Sequence, residues 1–205
     1  MAALTPMMQQ YVEVKEKYKD CILFYRIGDF YEMFFEDAIT ASKVLEITLT
    51  GKDCGQEERA PMCGVPYHAC DVYLNKLIEN GFKVAICEQV EDPKLAKGLV
   101  KRDVIRVVTP GTNMSQAILD ETRNNYLMCI FGCKDMSGVS VVDITTGEFK
   151  TCRISSIAKL ADEINKYSPS EIIGNDDFLN APLDFEYMKD RQKIAISKTP
   201  EHYFN

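Results

Sequence analysis

The run Cys21-Ile22-Leu23-Phe24-Tyr25-Arg26-Ile27 constrains the fold more than any other stretch of the chain. It is apolar but for Arg26 and is bounded by Asp20 and Gly28. A short continuous apolar run closed in this way reads as a buried strand. Its neighbours read differently. Thr5 followed by Pro6 has the form of an N-cap with proline at the first helical position, and predicts a helix to about Tyr18. From Tyr31 onward, Phe34, Phe35, Ala38, Ile39, Ala41, Val44 and Leu45 follow helical spacing. Ile47 to Thr50 reads as a short strand, followed by a polar loop to about Glu58. Ala69 to Asn80 reads as a helix, with Val72, Tyr73, Lys76 and Leu77 on one face and Gly81 as its stop. Phe82 to Val90 and Arg102 to Val108 read as two more strands. Strands alternating with helices predict an α/β or α+β first domain with a mixed sheet, over 1–112.

Pro110-Gly111-Thr112-Asn113 then punctuates the chain, and 113–124 is the expected linker. Beyond it the character changes. Tyr126 to Lys134, Val139 to Asp143 and Gly147 to Arg153 are β-rich runs joined by Asp135-Met136-Ser137-Gly138 and Thr145-Thr146-Gly147. A helix follows from Ser155, then a strand at Glu171-Ile172-Ile173. Three strands, a helix and a strand are how a ribonuclease H-like domain begins, and that fold is predicted for 125–205. The residues from Pro200 to Asn205 offer no closing element, so this second domain is expected to be partial and the chain an N-terminal fragment.

A length of 205 residues suits two small domains, each with its own core. No run of eighteen apolar residues occurs, and Met1-Ala2-Ala3-Leu4 lacks a signal peptide's basic and apolar regions, so a cytosolic chain is expected. Eight cysteines, none in a CxxC pair, fit a reducing compartment in which free cysteine packs as a small hydrophobe. Zinc held by Cys54, Cys63, His68 and Cys70 is the sharper alternative, but C-x8-C-x4-H-x-C matches no familiar structural zinc spacing. No metal site is expected. Residues 1–112 carry 14 basic against 17 acidic side chains, a net charge of −3. A unit that gripped nucleic acid by counterion release would be basic. The one local basic cluster is Lys94, Lys97, Lys101, Arg102 and Arg106, opposed by Asp103.

The chemistry-bearing stretch is Gly28-Asp29-Phe30-Tyr31-Glu32-Met33-Phe34-Phe35. In extended backbone, Phe30 and Glu32 point to the same side and Tyr31 to the other, where it reads as core. Gly28 permits close approach of a partner's backbone. A flat ring beside a carboxylate suits a partner with a stack to enter and a base edge to bond, which a nucleic acid duplex offers. Aromatic residues ahead of an amphipathic run are also commonly core, and spacing alone leaves that alternative open.

The order of further blocks carries a resemblance. Thr5-Pro6-Met7-Met8-Gln9-Gln10-Tyr11 comes first, then the stretch around Phe30, then Pro61-Met62-Cys63-Gly64-Val65-Pro66-Tyr67-His68. Ala85-Ile86-Cys87-Glu88-Gln89 and Val107-Val108-Thr109-Pro110-Gly111-Thr112 follow. This succession resembles the N-terminal part of the MutS family of bacterial DNA mismatch repair proteins, densely over 5–112 and more thinly over 120–205. The resemblance implies a mismatch-recognition domain followed by part of a connector domain. It implies that Phe30 wedges into the minor groove beside a mispaired or unpaired base and that Glu32 contacts that base. Pro61 and Met62 match a loop close to the mismatch, and Arg102 an arginine near the DNA, with Lys101 and Arg106 as candidate phosphate contacts. His68 reads as a hydrogen-bonded loop residue.

The implied partners are duplex DNA with mispaired or unpaired bases and, through the connector, a MutL-type repair protein. The full-length protein is implied to be a homodimer and an ATPase using ATP and Mg, and the fragment to be a monomer without cofactor. The phosphate-cradling pattern GxxxxGK[ST] is absent here: Gly51-Lys52 is followed by Asp53. No catalytic residue is expected. A ribonuclease H-like nuclease would need clustered carboxylates, one on its first strand. The first strand here, from Tyr126, has none, and Asp143 reads as the start of a turn.

Overall fold

The computed structural model describes residues 4–91, 98–113, 124–134 and 136–204. The chain divides into two compact units, one ending at Val108 and the other beginning at Thr109.

The first unit is a mixed six-stranded sheet. In chain order it runs α1 (Pro6–Lys17), β1 (Cys21–Ile27), β2 (Phe30–Phe34), α2 (Phe35–Leu45), β3 (Thr50–Lys52), β4 (Ala60–Pro66), α3 (Cys70–Glu79), β5 (Lys83–Gln89) and β6 (Arg102–Val108). The strands lie in the order β3-β4-β2-β1-β5-β6. Only the β1–β5 pair is parallel. β1 is the buried strand that its composition demands, with Leu23, Phe24 and Tyr25 wholly enclosed. Thr5 caps α1 by accepting from the Met8 N–H, as the Thr-Pro signal predicts. Met8 and Tyr11 of α1 pack with Leu23, Tyr25, Phe34, Ala85 and Cys87 on one face of the sheet. By strand alternation Phe24, Tyr31, Met33 and Ile86 point to the other face, where Cys63 meets the Ala38 carbonyl of α2.

Three features of this unit differ from the sequence reading. The helix expected from Tyr31 starts only at Phe35: Phe30 to Phe34 form β2, because backbone pairing with β1 and β4 outweighs helical spacing. Phe35 turns the chain at φ 53°, a strained value for a bulky residue. The strand expected at Ile47 to Thr50 is displaced to Thr50–Lys52, where β4 offers a partner. Pro61 and Met62, expected in a loop, lie inside β4. Although β4 lies inside the sheet, Pro61 is its second residue, beyond the last β2 pair at Met62, and is matched only by Gly51 of β3, so no ladder bond to β2 is lost there.

A short 3-10 turn at Pro110–Thr112 belongs to the second unit. There the Gly111 N–H donates to Glu171 Oε2 at 3.2 Å, and Asn125 Nδ2 donates to the Pro110 carbonyl at 2.9 Å. A Cβ on Gly111 would lie 2.9 Å from the Glu171 Cβ, so the fit tolerates only glycine. Residues 109–112 therefore pack with the second unit. The expected linker 113–124 lies, apart from its two ends, outside the described residues.

The second unit comprises β7 (Tyr126–Cys133), β8 (Met136–Asp143), β9 (Glu148–Ile154), α4 (Ile157–Tyr167), β10 (Glu171–Gly174), α5 (Asp176–Leu179), α6 (Phe185–Asp190) and β11 (Ala195–Lys198). Its sheet runs β11-β10-β7-β8-β9, with β7, β8 and β9 an antiparallel meander and β10 and β11 parallel to β7. This is the ribonuclease H-like order. Ser156 caps α4 on the Lys159 N–H, and Leu160 and Ile164 bury its apolar face against Met128, Ile130, Val139 and Ile172. The chain's last residues do carry structure: β11 extends the sheet, and the Phe204 ring lies 5.1 Å from that of Phe131. Both units are α/β. No helix among the described residues is long and apolar enough to cross a membrane.

Candidate nucleic-acid interface

The β1–β2 hairpin presents the candidate site. Ile27 pairs with Phe30 across a two-residue loop, Gly28-Asp29. Gly28 takes φ 56°, the positive value a first loop residue needs in a tight hairpin of type II′. The loop is tied down on several sides. Arg26 Nε donates to the Gly28 carbonyl at 2.6 Å, and the Tyr67 N–H donates to the Asp29 carbonyl at 2.9 Å. The Arg26 guanidinium lies 3.8 Å from the Tyr67 ring centroid and 3.5 Å from Glu88 Oε1. The Tyr31 hydroxyl donates to that same Glu88 oxygen. Tyr31 is buried, as expected, and burial followed by this carboxylate contact pushes its hydroxyl pKa up. The hairpin tip is thus rigid on the Tyr31 side.

The other side is open. Phe30 is 47% exposed. Glu32 sits two residues along on the same face. Opposite Phe30 on β4 stands Pro66, and opposite Glu32 stands Gly64, which places no side chain beside the carboxylate. Lys52 of β3 reaches across β4 to pair with Glu32 Oε2 at 2.5 Å.

The remaining sequence candidates are dispersed. Met62 shares the Phe30 face but stands opposite Phe34 and packs partly into the core below α1. It lies four residues along β4 from Pro66, about 13 Å at strand rise. Pro61, opposite Gly51, points to the other face. Arg102 is on the Phe30 face and at the same end of the sheet, yet its guanidinium is engaged inside the unit. Nε donates to the Arg26 carbonyl at 2.7 Å, and the Nη1 group to Gln10 Oε1 and the Val100 carbonyl. It also stacks 5.0 Å from the Tyr25 ring centroid. Arg102 therefore braces the hairpin. Lys101 is exposed at the start of that edge. Arg106, opposite Ile86, is exposed on the face away from Phe30. Lys94 and Lys97 fall outside the described residues. His68 lies in a short 3-10 turn with its ring edge-on to Tyr67.

Arg26, Tyr67, Gly64, Pro66 and Lys52 are the neighbours that sequence reasoning missed. The single charge in the apolar run could have marked Arg26. Lys52 carries no local signal, because its contact depends on how β3 and β2 flank β4.

In the second unit Asp143 starts the turn, with Oδ1 accepting from the Thr145 N–H at 2.8 Å and its hydroxyl at 2.6 Å. Burial alone would raise its pKa, but these bonds, with backbone N–H groups of Thr146 and Asn125, hold it below the usual carboxylate range. No cluster of His, Cys, Asp or Glu among the described residues could hold a metal ion.

Comparison with known proteins matches residues 5–117 to MutS domain I and residues 125–201 to MutS domain II. The DNA mismatch repair protein MutS of Lachnoclostridium phytofermentans is 65% identical over 205 residues, covering all of this chain and 22% of that protein. That of Acetivibrio thermocellus is 61% identical over 207 residues, covering all of this chain and 24% of its own length. That of Clostridium perfringens is 53% identical over 208 residues, covering 98% of this chain and 22% of its own. The chain spans less than a quarter of the length of these curated relatives.

Proposed function

The chain belongs to the MutS family, and from that premise we propose that its first unit recognises mispaired or unpaired bases in duplex DNA for mismatch repair. Phe30 is the wedge that enters the base stack from the minor groove, and Glu32 bonds the displaced base. One observation carries the reading: Phe30 stands half-exposed on a hairpin whose loop carbonyls are both held by neighbouring side chain and backbone, with Glu32 on the same open face.

The energetics support it. Inserting an apolar side chain costs a few kcal/mol of unstacking per base step, and a defect has already lost part of that stacking. Kinking is also easier where the duplex is deformable, so a defect is read as a difference in energy rather than as a base sequence. Arg102 enters as a brace for the hairpin, and Lys101 as the more available phosphate contact. Met62 supports Phe34 beneath the site rather than standing at its tip.

For the second unit we propose a connector that docks a MutL-type partner, with homodimerisation and an ATP- and Mg-dependent ATPase supplied by the rest of a full-length protein. GxxxxGK[ST] is absent from this chain, so its residues do not fit a nucleotide site of that kind. A nuclease reading is disfavoured by β7, which carries no acid, and by Asp143, whose Oδ1 is committed to a turn. The test is binding by the full-length protein, with and without Phe30→Ala, to a matched duplex and to one with a single-base bulge. The wild type should prefer the bulge, and the variant should not.

A further inference from the structure

The Lys52–Glu32 ion pair lies on the Phe30 face of the sheet, partly buried, and its chemistry bears on selectivity. Glu32 cannot bond a base edge and keep Lys52 on the same carboxylate oxygen at full strength. The pair joins Oε2 to Nζ at 2.5 Å, with the two side chains 14% and 29% exposed. Gly64 leaves the intervening strand bare at that point: a Cβ there would lie 3.5 Å from the Glu32 Cγ. Lys52 also sits 5.6 Å from the Phe34 ring centroid, so its stem lies along the sheet on this face rather than extending into solvent.

We propose that Lys52 sets the level of discrimination by competing with the base for Glu32. This rests on the recognition role proposed above. In the free protein and on matched duplex, Lys52 holds the carboxylate and cancels its charge. The repulsion between Glu32 and the phosphates, which would otherwise count against matched DNA, is thereby muted. On a defect, Glu32 turns to the base edge and Lys52 is released to a phosphate. Lys52 thus strengthens binding to every duplex while narrowing the gap between defective and matched DNA.

A double-mutant cycle in the full-length protein tests this, reading the ratio of affinities for single-base-bulge and matched duplexes. Lys52→Met should weaken binding to both duplexes yet raise the ratio roughly twofold to fivefold, the scale of one partly exposed ion pair. Lys52→Arg, which can remake the pair, should keep the wild-type ratio. In a Glu32→Gln background, Lys52→Met should leave the ratio unchanged, since there is no carboxylate to release. If Lys52 is only a phosphate contact, Lys52→Met will lower both affinities equally in both backgrounds, and the proposal is overturned while the role of Glu32 stands. If Glu32→Gln itself leaves the ratio at the wild-type value, the recognition role of Glu32 fails, and this proposal falls with it. Because Lys52 is partly exposed, a melting curve of each variant should match the wild type, and a large loss would assign the pair to the fold instead.

Discussion

Phe30→Ala separates a wedge from a core residue because the two roles put its energy in different places. Complete burial of a phenylalanine side chain is worth about 1.5–3 kcal/mol. Phe30 is 47% exposed, so roughly half of that, about 0.8–1.5 kcal/mol, is at stake in the folded protein. A unit of this size loses about 4–8 °C in melting temperature per kcal/mol, so the fall should stay within about 12 °C. On DNA the stake is larger. The wedge acts at one unstacked step, worth a few kcal/mol, so truncation should cut the preference for a single-base bulge by about tenfold to a hundredfold. Fluorescence anisotropy with labelled bulged and matched duplexes measures that preference in the full-length protein, and calorimetry measures the stability. A variant that keeps the wild-type preference refutes the wedge. A fall in melting temperature well beyond that range refutes it from the other side, by showing that Phe30 belongs to the core.

Glu32→Ala should bind matched duplex more tightly, because a carboxylate leaves the negative groove and Lys52 is freed for phosphate, while discrimination falls; a weaker affinity for matched duplex in the same titration would contradict this. Asp143 has a folded pKa held below its unfolded value, so its contribution to the second unit is present above the unfolded pKa and lost as pH falls through the folded one. Urea midpoints measured downward from neutral pH should therefore fall through the acid range, and Asp143→Asn should flatten that fall; an equally steep profile in the variant would place the acid sensitivity elsewhere. The isolated 205 residues should bind even a bulged duplex no better than about micromolar at physiological salt, with a shallow salt slope, since few phosphates are neutralised. Nanomolar binding with a steep slope would locate the DNA affinity in this chain.

Local signals were legible wherever a residue acts on its own neighbours. Thr5 and Pro6 announced α1, the apolar run announced β1, and Arg102 to Val108 announced β6 to the residue. The failures share one cause. β2 carries helical spacing yet pairs with β1 and β4, and β4 contains proline and glycine yet forms a strand, because the sheet around them supplies partners no local window contains. The same holds at the site. Phe30 and Glu32 could be placed on one face from their spacing of two, since strand alternation is local. Lys52 could not be paired with Glu32, nor Arg102 with the Arg26 carbonyl, because those contacts join residues 20 and 76 positions apart. Arg102, placed near DNA by the resemblance, has its guanidinium engaged with Arg26, Gln10 and Val100 within the fold, contacts that no local window shows.

The acidity of the first unit fits the proposed role better than a basic surface would. Counterion release strengthens binding to matched and defective duplex alike, so it raises affinity without improving the choice between them. In the proposed role, selectivity comes from terms that differ between the two duplexes: the unstacking that a Phe30 wedge would require and the base contact that Glu32 would find or lack. Such terms act fully only if the groups are held in place before DNA arrives, since a hairpin that yielded would relax rather than force the stack open. The hydrogen bonds from Arg26 and Tyr67 to the loop carbonyls, and from Arg102 to the carbonyl of Arg26, meet that requirement. On this reading the basic residues of the tip are used mainly to stiffen the hairpin. Arg26→Ala should then reduce discrimination more than overall affinity, as measured by the ratio of bulged to matched binding against the affinity for matched duplex alone. An equal loss in both would mean that Arg26 serves the phosphates and that the stiffness of the hairpin has no part in selectivity.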